Sequence, residues 1–294
     1  MDNEKIEIMK NNKGFIAALD QSGGSSAKTL KLYGINEDEY NTEDEMFELI
    51  HEMRKRVLTS KVFTNEHILG TILFEKTMNS KVNDEYTADY LWNNKKILSF
   101  LKVDNGLAEK IDGVKRMENI LGLEERCELA NKRNIFGTKM RSVIYEPNVE
   151  GIREIVRQQF YLARIIANYH LVPIIEPEVD INAPEKEKCE EILKQEIITE
   201  LGYWDQRKLL MFKFTIPTIE NLYLDLYNYE CVLRIVALSG GYSLDEACEL
   251  LSKNDNMIAS FSRALLQDLN VNQTQEEFDE ALNNAITKIY NASI

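Results

Sequence analysis

The chain has 294 residues, enough for one large α/β domain, with 44% apolar and 29% charged side chains and a formal net charge of −14. That composition excludes a disordered chain. The acidic balance argues against a nucleic-acid binder, which needs a broad basic face, but it admits a small phosphorylated substrate held by a few converging cations.

The beginning, Met1-Asp2-Asn3-Glu4-Lys5, is too polar for a signal peptide, and no apolar run has the length of a membrane span. The four cysteines, Cys127, Cys189, Cys231 and Cys248, are scattered and form no CxxC pair, so a reduced cytoplasmic protein without a disulfide framework is expected. In chain order, short apolar runs at Phe15–Leu19, Ile68–Phe74, Leu98–Val103, Ile135–Met140, Leu171–Ile175, Leu209–Phe214, Val232–Leu238 and Met257–Phe261 predict eight buried strands. Helical spacing fills the connections, at Glu43–Leu58, Glu150–Asn168, Glu187–Thr199, Thr218–Asn228 and Gln275–Tyr290. Tyr223 and Tyr227, four apart in one of these, read as packing residues. Gly and Pro are few, and no linker or repeat appears. The rhythm predicts a (β/α)8 TIM barrel of one domain over residues 1–294. The alternative, a doubly wound open sheet, lacks a Gly-rich dinucleotide fingerprint after the first strand.

In such a barrel the chemistry sits at the C-terminal strand ends. Those ends deliver Asp20, then Lys102 and Asp104, Lys139 and Arg141, Glu176 and Glu178, Lys213, Ser239-Gly240-Gly241 and finally Arg263. The second strand ends at Glu75-Lys76, to which no role is assigned. Lys213 lies between Phe212 and Phe214, where loss of hydration and repulsion from Lys139 or Lys102 would favour the neutral amine that attacks a carbonyl. The same pattern also suits a lysine merely paired with a carboxylate. Glu176 and Glu178, at i and i+2 on a strand, share a face; crowding would raise one of them into the range of a proton shuttle, or both would serve as ion-pair partners.

Two segments suit phosphate. Ser239-Gly240-Gly241 precedes Ser243-Leu244-Asp245-Glu246, which has the form of a capping box, with Arg263 on the next strand. Asp20-Gln21-Ser22-Gly23-Gly24-Ser25-Ser26 follows the first strand. Together they favour a substrate phosphorylated at both ends. The three histidines, His51, His67 and His170, show no metal-ligand spacing, and His67 and His170 precede their strands on the face away from catalysis, so no metal is expected.

Ala17-Ala18-Leu19-Asp20-Gln21-Ser22, Leu101-Lys102-Val103-Asp104, Thr138-Lys139-Met140-Arg141, Val172-Pro173-Ile174-Ile175-Glu176-Pro177-Glu178, Lys213 and Leu238-Ser239-Gly240-Gly241 resemble, in order, the class I (Schiff-base) fructose-bisphosphate aldolases. The resemblance runs from about Gly14 to Gln267, nearly the whole chain, and VPIIEPE and LSGG are its most specific segments. It implies a Schiff base from Lys213 to the C2 ketone, with Glu176 as acid and base, Glu178 and Lys139 tuning the charges, and Asp20 assisting C3–C4 cleavage. It also implies a C1 phosphate on Ser239, Gly240 and Arg263, and a C6 phosphate near Ser22, Ser25, Lys102 and Arg141, with no cofactor. Gln21 and Ser262 stand where longer members carry Glu and Gly, the flanks of Lys213 differ, and the chain ends at Ile294 without a tail tyrosine; these features look like the shorter bacterial branch. Another ketose phosphate, such as tagatose 1,6-bisphosphate, is the alternative substrate, and a non-catalytic binding barrel is the alternative of another class. The sequence admits a homo-oligomer and implies no nucleic-acid or membrane partner.

Overall fold

The apolar runs form strands because their side chains are covered on both faces. In the computed structural model, which describes residues 2–22 and 24–294, they are β1 (Phe15–Leu19), β2 (Ile68–Leu73), β3 (Leu98–Lys102), β4 (Gly137–Ile144), β5 (Val172–Val179), β6 (Leu210–Thr215), β7 (Val232–Leu238) and β8 (Met257–Phe261). The strands are parallel in the spatial order β3-β2-β1-β8-β7-β6-β5-β4, and β3 pairs with β4 to close the cylinder. That closure makes the molecule a TIM barrel and rules out the doubly wound sheet.

Alternation along each strand sorts the core into two layers. Ile16, Phe100, Ile174, Met211, Val236 and Ile258 fill the interior, whereas Ala17, Leu101, Ile175, Phe212, Ala237 and Phe261 pack outward against the helices. The inward series then turns polar toward the strand ends, giving Lys102, Lys139, Arg141, Glu176, Glu178 and Lys213. These residues lie within the strands, because β4 and β5 run four residues beyond their predicted limits of Met140 and Ile175. Their extensions have partners: Val143 and Ile144 pair with Lys115 and Val114 of an antiparallel hairpin, Leu107–Ile111 and Val114–Met117.

The helices Glu43–Thr59, Val149–Asn168, Lys186–Leu201 and Gln275–Asn291 match the predicted ones within two residues at each end. Thr218–Asn228 does not form the predicted helix. Asn221 takes a left-handed φ of 63° and is tied to Asn254 and Asp255, leaving only a 3-10 turn at Leu224–Asn228. The packing role of the tyrosines survives that change: Tyr223 stacks on Phe214 at 4.0 Å, and the Tyr227 hydroxyl donates to Asn256 O. A helix absent from the sequence reading, Asn3–Asn11, plugs the opposite end of the barrel. Its Met9 joins the inner core, and Arg234 donates to Met9 O and Asn12 O. Among the described residues no helix is long and apolar enough to cross a membrane.

Candidate active site

One cleft of about 540 Å³ opens at the C-terminal strand ends. Its lining includes every residue given a catalytic or substrate-binding role above: Asp20, Ser22, Ser25, Lys102, Lys139, Arg141, Glu176, Glu178, Lys213, Ser239, Gly240 and Arg263. Gly23 of the first loop lies outside the described residues.

At the floor four buried charges alternate in sign. Lys139 Nζ lies 2.6 Å from Asp20 Oδ2 and 3.1 Å from Glu176 Oε2, and Lys213 Nζ lies 3.1 Å from Glu176 Oε1. All four side chains are nearly inaccessible, so each is tolerable only because the next neutralises it. Burial alone would raise the Asp20 carboxyl, but Lys139, Lys213 and Lys102 outweigh it and hold that carboxyl far below its ordinary range. Glu176 behaves likewise: burial pushes up, while Lys139, Lys213 and Arg141 pull the net value down. The expected rise from crowding with Glu178 therefore does not occur at Glu176, because the cations nearby outnumber the second carboxylate. Burial opposes the Lys139 ammonium, yet Asp20, Glu176 and Asp104 keep it protonated well above the ordinary lysine range. Among the described residues Glu176 Oε2 has no hydrogen-bond partner of acceptable geometry despite its short distance to Lys139.

The rim carries other pairs. Glu178 does not contact the Lys213 amine; its Oε2 accepts from Arg141 Nε at 2.6 Å. Lys102 Nζ donates to Asp104 Oδ1 at 2.6 Å and to Asp104 O at 2.8 Å, so its own loop occupies it. Arg263 has no carboxylate partner among the described residues and faces the turn after β7. Gly240 and Gly241 there have φ of 61° and 123°, and a Cβ on Gly240 would meet Ile181 Cγ2 at 2.5 Å. Among the described residues their N–H groups have no acceptor. A turn with free amides beside an unpaired guanidinium suits an anion. The capping box beyond it is half formed: Ser243 Oγ accepts from Glu246 N. In the first loop Ser25 Oγ donates to Ser22 O and accepts from Ser22 N, closing a tight turn.

Sequence reasoning missed three residues. Lys28 lines the cleft from the helix Gly24–Tyr33 and adds a cation beside Ser25. Gln159, fully buried on Val149–Asn168, receives the Glu176 amide at 2.8 Å and donates to Ser142 Oγ. Arg54, also fully buried, donates to Gln21. Glutamine and arginine on amphipathic helices look like ordinary solvent-facing residues, so only the fold reveals the last two. Among the described residues no group of three or more His, Cys, Asp or Glu could hold a metal ion, and none of the three histidines lines the cleft.

The family profile described as fructose-bisphosphate aldolase class-I matches residues 2–211. The class 1 fructose-bisphosphate aldolase of Clostridium acetobutylicum is 54% identical over 294 residues, all of both chains. The chain belongs to the class I fructose-bisphosphate aldolases. Its reaction is therefore the reversible cleavage of fructose 1,6-bisphosphate to dihydroxyacetone phosphate and glyceraldehyde 3-phosphate, through the Schiff base general to the family. A solved fructose-bisphosphate aldolase from Plasmodium falciparum shares this aldolase's fold, with a TM-score of 0.77 at 21% identity over 99% of this chain and 93% of that one. A Corynebacterium glutamicum protein gives a TM-score of 0.55 at 12% identity, over 99% and 92% of the two chains. The family profile stops two residues before Lys213.

Proposed function

We propose that Lys213 is the amine that forms the Schiff base, and that Glu176 moves its protons. The observation that carries this reading is the 3.1 Å contact between Lys213 Nζ and Glu176 Oε1 at the closed end of the cleft. A proton passed along that contact creates a neutral amine and a carboxylic acid together. The amine attacks the C2 carbonyl, giving a carbinolamine. Glu176 returns the proton to the C2 hydroxyl, which leaves as water, and a protonated imine remains. Asp20, at the mouth of β1, takes the proton of the C4 hydroxyl as the C3–C4 bond breaks. The bonding pair flows into the imine, glyceraldehyde 3-phosphate departs, and an enamine is left. Protonation at C3 and hydrolysis then release dihydroxyacetone phosphate and restore the amine.

Lys139 remains charged throughout and holds Asp20 and Glu176 on either side of the reacting carbons. The turn at Ser239 and Gly240, with Arg263, would take the C1 phosphate. Ser22, Ser25, Lys102 and Arg141 would take the C6 phosphate, with Lys102 shared between it and Asp104. Glu178 would act by holding Arg141. Four cysteines without a partner support a reduced, cytoplasmic setting. A Lys213→Ala variant that keeps its circular dichroism spectrum should lose fructose 1,6-bisphosphate cleavage by about 10⁴-fold or more, while EDTA should leave the wild type unchanged. A fully active Lys213→Ala variant overturns the assignment.

A further inference from the structure

Arg54 projects from the helix Glu43–Thr59 toward the outside of the barrel wall behind the first catalytic loop, and it is completely buried. One of its nitrogens, Nη2, donates to Gln21 O at 2.6 Å and to Gln21 Oε1 at 3.2 Å. The other, Nη1, donates to Thr77 Oγ1 at 2.6 Å, in the short helix Glu75–Asn79 after β2. A single guanidinium thus grips both the main chain and the side chain of the residue between Asp20 and Ser22. Gln21 passes the grip on, because its Nε2 donates to Ser262 Oγ at 2.6 Å and its carbonyl also accepts from Ser26 Oγ at 3.3 Å.

We propose that Arg54 is a positioning residue for the first βα loop: it fixes Gln21, and through it sets Ser22 and Ser25 where a C6 phosphate would bind. This rests on the proposed assignment of that phosphate to Ser22 and Ser25. Two features separate the role from packing. A buried charge is a costly way to fill space, and here burial lowers the guanidinium to about 10, with Asp20 pulling the other way. Its Nη2 makes both of its bonds to one loop residue, Gln21, while Nη1 ties that loop to Thr77 of the helix after β2, a directed bridge that a space-filling side chain would not need. Asp20 has its own anchor in Lys139, so a disturbance at Arg54 should reach the serines before the cleavage chemistry.

The test is Arg54→Lys, which keeps the charge and loses the forked donor geometry. Its KM for fructose 1,6-bisphosphate should rise by about tenfold with kcat within threefold of wild type. Its kcat/KM for fructose 1-phosphate, which lacks the C6 phosphate, should stay within about twofold. Borohydride trapping with dihydroxyacetone phosphate should proceed at the wild-type rate. Equal losses on both sugars would show a general structural role and overturn the proposal, as would unchanged kinetics on both. Should Arg54→Lys fail to fold, Thr77→Val, which removes one acceptor, must show the same selective KM rise at about threefold, and its absence overturns the proposal. An unchanged KM for fructose 1,6-bisphosphate in both Ser22→Ala and Ser25→Ala would instead refute the phosphate assignment itself, which keeps the two readings apart.

Discussion

Two lysines and two carboxylates at the floor of the cleft neutralise one another, and the order in which they touch decides what each can do. Among the described residues Lys139 pairs with both acids, whereas Lys213 pairs only with Glu176. The first is therefore held as a permanent cation, and the second has a single partner with which to exchange a proton. Replacing Glu176 by Gln should lower kcat by about 10²–10⁴-fold with little change in KM, as steady-state kinetics would show; an unaltered kcat would remove the proton shuttle from the mechanism. The pH dependence follows from signs. Asp20 and Glu176 sit below their ordinary values in the folded protein, so they contribute stability above the ordinary carboxylate range. That contribution is lost as pH falls through the depressed values. Lys139 sits above its ordinary value, so its contribution is complete below the ordinary lysine range and is lost only as pH rises past it. The wild type should hold a broad plateau between those limits. In Lys139→Met burial would act on both acids with less opposition, and the acid limb of urea stability should move to higher pH. An acid limb that stays in place would contradict the electrostatic account.

At the scale of elements, the turn after β7 is the most sensitive to a single methyl group. Gly240→Ala would place a Cβ 2.5 Å from Ile181 Cγ2 at a φ of 61°. We expect a loss of about 1–2 kcal/mol in urea unfolding together with a raised KM for every substrate bearing a C1 phosphate. A stable variant with wild-type KM would argue against the anion site. The eight strands were legible in the sequence because each is buried on both faces and reads as an apolar run. The hairpin at Leu107–Met117 was not read, although Asp112-Gly113 between alternating residues is a two-residue hairpin signal, and both take positive φ. Thr218–Asn228 misled because its apolar residues have helical spacing, while the left-handed Asn221 that breaks the helix has its partners at Asn254 and Asp255, over thirty residues away. The inward-facing charges on β4, β5 and β6 could be placed in one cleft from strand ends alone. Their pairing could not, since Glu178 meets Arg141 only through the register of Val143 opposite Glu178 and Arg141 opposite Glu176. Arg54 and Gln159 were illegible for a plainer reason: they act on the site from helices outside the barrel wall.

The whole molecule carries a net charge of −14, yet its substrate is a bisphosphate. The cleft resolves that conflict locally, with six cations (Lys28, Lys102, Lys139, Arg141, Lys213, Arg263) against four carboxylates (Asp20, Asp104, Glu176, Glu178). A net positive cleft in an acidic surface attracts a dianionic group only at short range, because salt screens exposed charges beyond about 8 Å at physiological ionic strength. The KM for fructose 1,6-bisphosphate should therefore climb with added salt while kcat holds steady, and a falling kcat at constant KM would contradict that picture. The chemistry turns on one nitrogen atom, which mass mapping can locate. Enzyme saturated with dihydroxyacetone phosphate is reduced with borohydride, digested, and its peptides are weighed. A three-carbon phosphate adduct is expected on the peptide carrying Lys213, and none on it in Lys213→Ala. An adduct on Lys139 or Lys102, or an active enzyme that yields no adduct at all, would contradict the Lys213 assignment.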